Sequence, residues 1–139
     1  MASTGRGGRP STRVSPSVIG VVAAGGAIGS VARYGLAELW SSPWIIVVIN
    51  VVGSLLLGLL MGVLSQGSTN LLLRPFVGVG VLGGFTTFST AMVDLRSQLA
   101  AGHQALTLFL LLAAAAGSIL AAGWGWHISS AAEPDWDAQ

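Results

Sequence analysis

The chain has no cysteine and no lysine, and it carries one tyrosine and two histidines in 139 residues. Without cysteine there are no disulfides, no thiolate metal ligands and no thiol nucleophile. Charge is nearly as scarce: six arginines and five carboxylates make up 8% of the chain, against about 25% in an average soluble domain. That is too little polar cover for a small globule in water. The net charge is +1, and no basic cluster follows the N-terminal stretch. A nucleic-acid partner is therefore not expected, because phosphate neutralisation needs several cations on one face. His103 and His127 lie far apart, with no carboxylate pair or ligand spacing around them. They are read as solvated side chains, and no enzyme is expected.

What the chain has in abundance is apolar surface, with 53% hydrophobic residues and a mean hydropathy of +0.77. A helix needs about 20 residues to cross a hydrocarbon core of roughly 30 Å. Four segments are long enough, at 17–39, 43–64, 71–93 and 105–126. The predicted fold is an all-α membrane protein with four transmembrane helices filling residues 17–126. Residues 1–16, with Arg6, Arg9, Arg13, Pro10 and Pro16, are expected to form a disordered arm. Residues 127–139, with Glu133, Asp135 and Asp137, are expected to form a disordered polar tail. The first apolar stretch runs past the length of a leader's apolar region and contains Arg33, so a retained helix is expected. Arg6, Arg9, Arg13 and Arg74 fall on one side, Arg33 and Arg96 toward the other. That asymmetry places both termini in the cytoplasm, with the protein in the cell membrane. Trp40, Trp44, Trp124 and Trp126 fall at predicted segment ends, where amphipathic rings prefer to sit.

Uncharged polar groups at membrane depth carry what chemistry there is. In the second segment Asn50 and Ser54 share one helix face. An unpaired amide in hydrocarbon costs several kcal/mol, so Asn50 must meet a partner or water. Interhelical packing glue would meet that need as well as a site would. In the third segment Gly83 and Gly84 precede Thr86, Thr87, Ser89 and Thr90. Such a run predicts a helix broken at its centre, leaving carbonyls that suit a cation and amides and hydroxyls that suit an anion. A simple kink, with the hydroxyls bonding back one turn, is the plainer alternative. Gly26–Gly29 follows no strand, and Ala113–Ala116 is small and apolar, so both are read as helix-packing surfaces.

Three stretches, GGAIGSVARY at 25–34, NVVGS at 50–54 and GGFTTFST at 83–90, occur in the order and positions of the Fluc (CrcB) fluoride channels. The chain resembles that family over roughly residues 17–126. The resemblance implies an antiparallel, dual-topology dimer that lets fluoride leave the cytoplasm passively and so lowers its toxicity. It implies that Gly83 and Thr86 offer backbone carbonyls to a structural, untransported Na+. Asn50 would donate its amide to fluoride and Phe88 would present a ring edge. Thr87 and Ser89 would belong to the polar lining, with Arg33 near the pore vestibule. Two positions depart from the family pattern. Ala91 stands where a second phenylalanine is usual, and the fourth segment offers only Thr107 and Ser118 as hydroxyls, of which Ser118 is assigned to the pore. These departures leave open whether the second subunit is the same chain or a paralogous partner.

The chemistry is reasonable for fluoride, a small and strongly hydrated anion. Its water must be replaced by hydrogen-bond donors, without a fixed cation that would trap it. Two other classes compete at this level. A small dual-topology proton-coupled exporter would need a titratable carboxylate deep in the membrane, and Glu38 and Asp94 fall at segment ends. A non-transporting membrane scaffold would leave the polar break without a purpose.

Overall fold

The computed structural model describes residues 15–40, 42–67 and 71–131. Most of the expected N-terminal arm and C-terminal tail therefore lies outside the described residues. Among the described residues every regular element is helical. Four helical stretches are long and apolar enough to cross a membrane: Pro16–Leu39, Ile45–Ser65, Arg74–Ala100 and Gln104–Ser130.

Helix α1 is Pro16–Leu39 and α2 is Ile45–Ser65. Pro16 opens α1 at a position where a missing N–H breaks no helical bond. The third stretch begins as a π-helix, Arg74–Leu82, and passes into a single α turn, Gly83–Phe85; together these are α3. Pro75 brings no N–H and Gly78 and Gly80 bring no side chains, which removes two constraints on helix register. The widened register shows at its end, where the Gly83 N–H reaches the Gly78 carbonyl five residues back. The chain is then extended at Thr86 (φ −78°, ψ 149°) and Thr87 (φ −151°, ψ 127°). It restarts as α4, Phe88–Ala100, and the last helix, α5, is Gln104–Ser130. The centre of the third span is broken where its glycine and hydroxyl run predicts.

Two helices outrun the boundaries read from hydropathy. Helix α4 continues past 93 to Ala100, so Asp94 lies within a helix. Helix α5 continues past 126 to Ser130 because its polar end is satisfied internally. The Ser129 hydroxyl, buried against α2, donates to the Gly125 carbonyl at 2.8 Å, and Gln66 Nε2 donates to the Ser129 carbonyl at 2.6 Å.

The helices pack as two pairs, α2 on α5 and α1 on α3, with α4 laid against α5 and little contact between α1 and α2. Ile45, Ile46 and Ile49 form the buried core, with Phe85 and Ala91 packed on it. Elsewhere large apolar side chains such as Val31, Ile119 and Leu120 point outward, as a chain solvated by lipid permits. Trp44 closes the end of the α2/α5 pair with an edge-to-face contact on Phe109, centroids 5.6 Å apart.

In lipid, close backbone approach replaces hydrophobic exclusion as the force between helices. At Gly58 an added Cβ would stand 2.9 Å from the Ala122 carbonyl carbon and 3.0 Å from its Cα. Gly58→Val should therefore force α2 and α5 apart and cost about 1–3 kcal/mol. Thermal unfolding in detergent checks this, with Gly20→Val as control, since nothing lies within 4 Å of a Cβ there. The Gly58 variant should melt clearly below the control.

Candidate functional site

A helix broken in hydrocarbon leaves backbone groups that must find partners within the protein. Here α2 supplies the main one. The Thr87 N–H donates to Asn50 Oδ1 at 2.8 Å, and Asn50 Nδ2 donates to the Thr87 carbonyl at 3.0 Å. The amide's orientation is fixed by this pairing, because the Thr87 N–H needs an oxygen opposite it. Asn50 thus pairs with both backbone groups of Thr87, as a neighbouring strand would. One of its two N–H groups remains for the space beside the break.

That capture determines which carbonyls are released. In a continuous helix the Thr87 N–H would bond the Gly83 carbonyl, and the Thr90 N–H would bond that of Thr86. Instead the first goes to Asn50, and the second goes to the Thr87 hydroxyl at 3.2 Å, which caps α4. The Phe88 and Ser89 N–H groups likewise no longer reach the Gly84 and Phe85 carbonyls, so the Gly83, Phe85 and Thr86 carbonyls lose their helical donors without replacement. The Gly84 carbonyl does not share their condition, since it accepts from Ser30 Oγ at 3.4 Å and Arg33 Nε at 3.3 Å. The two glycines also differ in space. A Cβ at Gly84 would press on Gly26 of α1, 3.0 Å from its Cα, whereas one at Gly83 would meet only the Gly78 carbonyl, at 3.8 Å. The Thr86 hydroxyl bonds back to the Leu82 carbonyl at 2.9 Å, so backward bonding and a true break coexist.

Beside the break, α2, α4 and α5 border a half-open cavity of about 310 Å³. Asn50, Thr86, Thr87, Phe88 and Ser118 line it. Ser54 lines it as well, as its place one turn from Asn50 implies. Ser89 and Arg33 are not part of the lining. The Ser89 hydroxyl pairs with Thr87 Oγ1 at 3.2 Å, while Arg33 lies against Gly84 and Thr90. Thr107 turns to the start of α5, donating to the His103 carbonyl at 2.9 Å, which leaves Ser118 as the α5 hydroxyl in the cavity. Ala91 lines the wall with a methyl group, and Phe88 is 75% exposed.

Asp94 also lines the cavity, which placing it at the end of a segment had hidden. Continuing the helical period to Ala100 would have found it, three residues from Ala91 on the same face. It stands seven residues beyond Thr87. At 1.5 Å per residue that is about 10 Å from the break along α4. A midplane proton carrier would sit at the break itself.

Asn50→Asp tests the clamp. A carboxylate can accept from the Thr87 N–H but cannot donate to its carbonyl, which then faces a negative charge. The variant should lose about 1–3 kcal/mol and loosen the break. Faster amide exchange at Thr87–Thr90 in the variant, with α5 unchanged, is the expected result.

A family model described as CrcB-like protein, Camphor Resistance (CrcB), matches residues 20–126. The chain is 46% identical over 102 residues to the fluoride-specific ion channel FluC 2 of Streptomyces avermitilis, covering 69% of this chain and 65% of that protein. It is 57% identical over 76 residues to FluC 1 of Rhodococcus jostii, covering 55% and 59%. It is 44% identical over 110 residues to FluC 2 of Thermobifida fusca, covering 75% and 82%. The chain thus spans somewhat under two thirds of the first two relatives and over four fifths of the third. With the match covering nearly all of the four-helix region, the chain belongs to the CrcB family.

Proposed function

We propose that the chain is a fluoride-specific channel subunit of the cell membrane, through which fluoride leaves the cytoplasm down its gradient. The observation that carries this is the cavity beside the break, where an amide and several hydroxyls converge with no cation among the lining residues, and where the single carboxylate, Asp94, stands seven residues from Thr87. Donors without a full positive charge can replace the water of a small anion and still release it. Phe88 offers the weakly positive edge of its ring on the same path. The relatives' names, fluoride-specific ion channels, support the choice of anion.

The released Gly83 and Thr86 carbonyls fit a structural Na+, because unwound backbone carbonyls at a half-helix end are oxygen ligands of the kind such an ion takes. Among the described residues no cluster of His, Asp or Glu could hold a metal ion, so carbonyls are the available ligands. When bound, the cation would supply positive charge near the anion path. One chain provides too few such carbonyls to surround an ion, which accords with a second, antiparallel subunit meeting it at the break, either another copy or a paralogous partner. The exposed Phe88 and the room for a Cβ at Gly83 are where such a subunit would stand. Arginine asymmetry favours both termini in the cytoplasm for this chain.

Purified chain in liposomes should release fluoride and retain chloride. Equal chloride release, or no fluoride release from the chain with or without a partner subunit, would end the proposal. Replacing external and internal sodium with a large organic cation should abolish flux or dissociate the assembly, and unchanged behaviour would remove the Na+. Gly83→Val should leave the isolated fold intact yet impair assembly or flux, since nothing in its own chain crowds the new side chain. A C-terminal tag labelled from each side of intact cells should react from the cytoplasmic side alone if the second subunit is a paralogous partner, and from both sides if it is another copy.

A further inference from the structure

Arg33 is a charged side chain near a proposed anion path, but it is turned away from the cavity. Its guanidinium is already engaged. Nε donates to the Gly84 carbonyl at 3.3 Å, before the break, and Nη1 donates to Thr90 Oγ1 at 3.2 Å, after it. A guanidinium only donates, and its donors are held in a rigid fork. Arg33 therefore spans the gap from α1, holding the end of α3 and the start of α4 at one fixed separation.

The bond to Thr90 has a further effect. Thr90 Oγ1 also accepts from Thr87 Oγ1 at 3.2 Å, and Thr87 Oγ1 accepts from the Thr90 N–H. With its hydroxyl oxygen taking both Arg33 and Thr87, Thr90 fixes the direction of the Thr87 hydroxyl, while the Thr87 backbone is held by Asn50. The Phe88 and Ser89 N–H groups are then the uncommitted donors of the first turn of α4. Arg33, Thr90, Thr87 and Asn50 thus form one chain of bonds from α1 to α2 across the break.

Resting on the fluoride-channel reading, we propose that Arg33 is a positioning residue: it sets the separation and register of the two half-helices through Gly84 and Thr90, and acts on the anion through that geometry without touching it. The fork matters more than the charge, because a lysine ammonium cannot reach along both acceptors from one stem.

The test uses full-length Arg33→Lys, Arg33→Gln, Thr90→Val, Thr90→Ser and the double variant Arg33→Gln/Thr90→Val. Each is measured for fluoride efflux against fluoride concentration and for amide hydrogen exchange over residues 85–92. Both Arg33 variants should lower maximal flux about ten- to a hundredfold, as expected for a lost charged hydrogen bond, with half-saturation little changed. Thr90→Val should follow them, Thr90→Ser should recover most of the loss, and the double variant should be no worse than Arg33→Gln alone. Exchange at the break should rise in step with the loss. Full flux in Arg33→Lys, or a raised half-saturation at unchanged maximal flux, would overturn the proposal in favour of charge or direct contact. If the unaltered chain carries no fluoride, the channel reading fails by itself, and break protection unchanged in Arg33→Gln would overturn the positioning role separately. Should Arg33→Gln not fold, the Thr90→Val and Thr90→Ser pair decides, equal flux and protection in the two overturning the proposal.

Discussion

The paired hydrogen bonds between Asn50 and Thr87 are the interaction on which the rest of the site depends. In hydrocarbon an unpaired peptide group costs several kcal/mol, and a helix can open at midplane only where other groups replace the lost bonds. Asn50 does this with a side chain that both donates and accepts, so a single residue on α2 satisfies both backbone groups of Thr87. The Thr87 hydroxyl then caps α4, and the released carbonyls follow from simple counting of donors. Remove the amide and both backbone groups of Thr87 are left unpaired in hydrocarbon.

The break also needs a rigid frame, which α1 provides. Gly84 lies so close to Gly26 that their backbones fix the height of the end of α3, and Ser30 and Arg33 occupy the Gly84 carbonyl that would otherwise be exposed. The glycine pattern of α1 and its polar residues thus act together, the first by permitting contact and the second by filling it. Read from the sequence, Gly26–Gly29 indicates packing but not its partner. The structure identifies that partner as the one helix whose hydrogen bonding fails.

Much of the fold was legible because lipid simplifies the code: long apolar runs mark spans, and glycines followed by hydroxyls mark a break. Helix ends were less legible. Hydropathy fades where Asp94 and Ser129 enter, yet the helices continue, since these polar groups find partners or face a cavity that composition cannot reveal. In the site, Asn50, Ser54, Thr87, Phe88 and Ser118 could be brought together by period and motif order. The turn of Arg33 away from the cavity could not, because it depends on the rotation of α1 against a π-helical segment whose register no 3.6-residue period describes. Asp94 was hidden for the related reason that its span was ended too early.

Charge placement explains why so few ionisable groups suffice. A bound anion needs positive potential, yet a cation in its path would hold it too firmly to pass. The chain separates these demands in space. Its full positive charge at membrane depth, Arg33, is spent on a carbonyl and a hydroxyl behind the break, while the polar groups lining the cavity face near the break are an amide and hydroxyls, with Asp94 the one charged lining residue, farther along α4. Partial charges on that face are strong because the surroundings are poorly polarisable, and weak enough to release what they hold because none is a whole charge. The break leaves a carbonyl end on α3 and an amide end on α4, of opposite polarity. A single interruption of one helix therefore creates both an electropositive and an electronegative surface at a depth where ionised side chains would be far more costly to place.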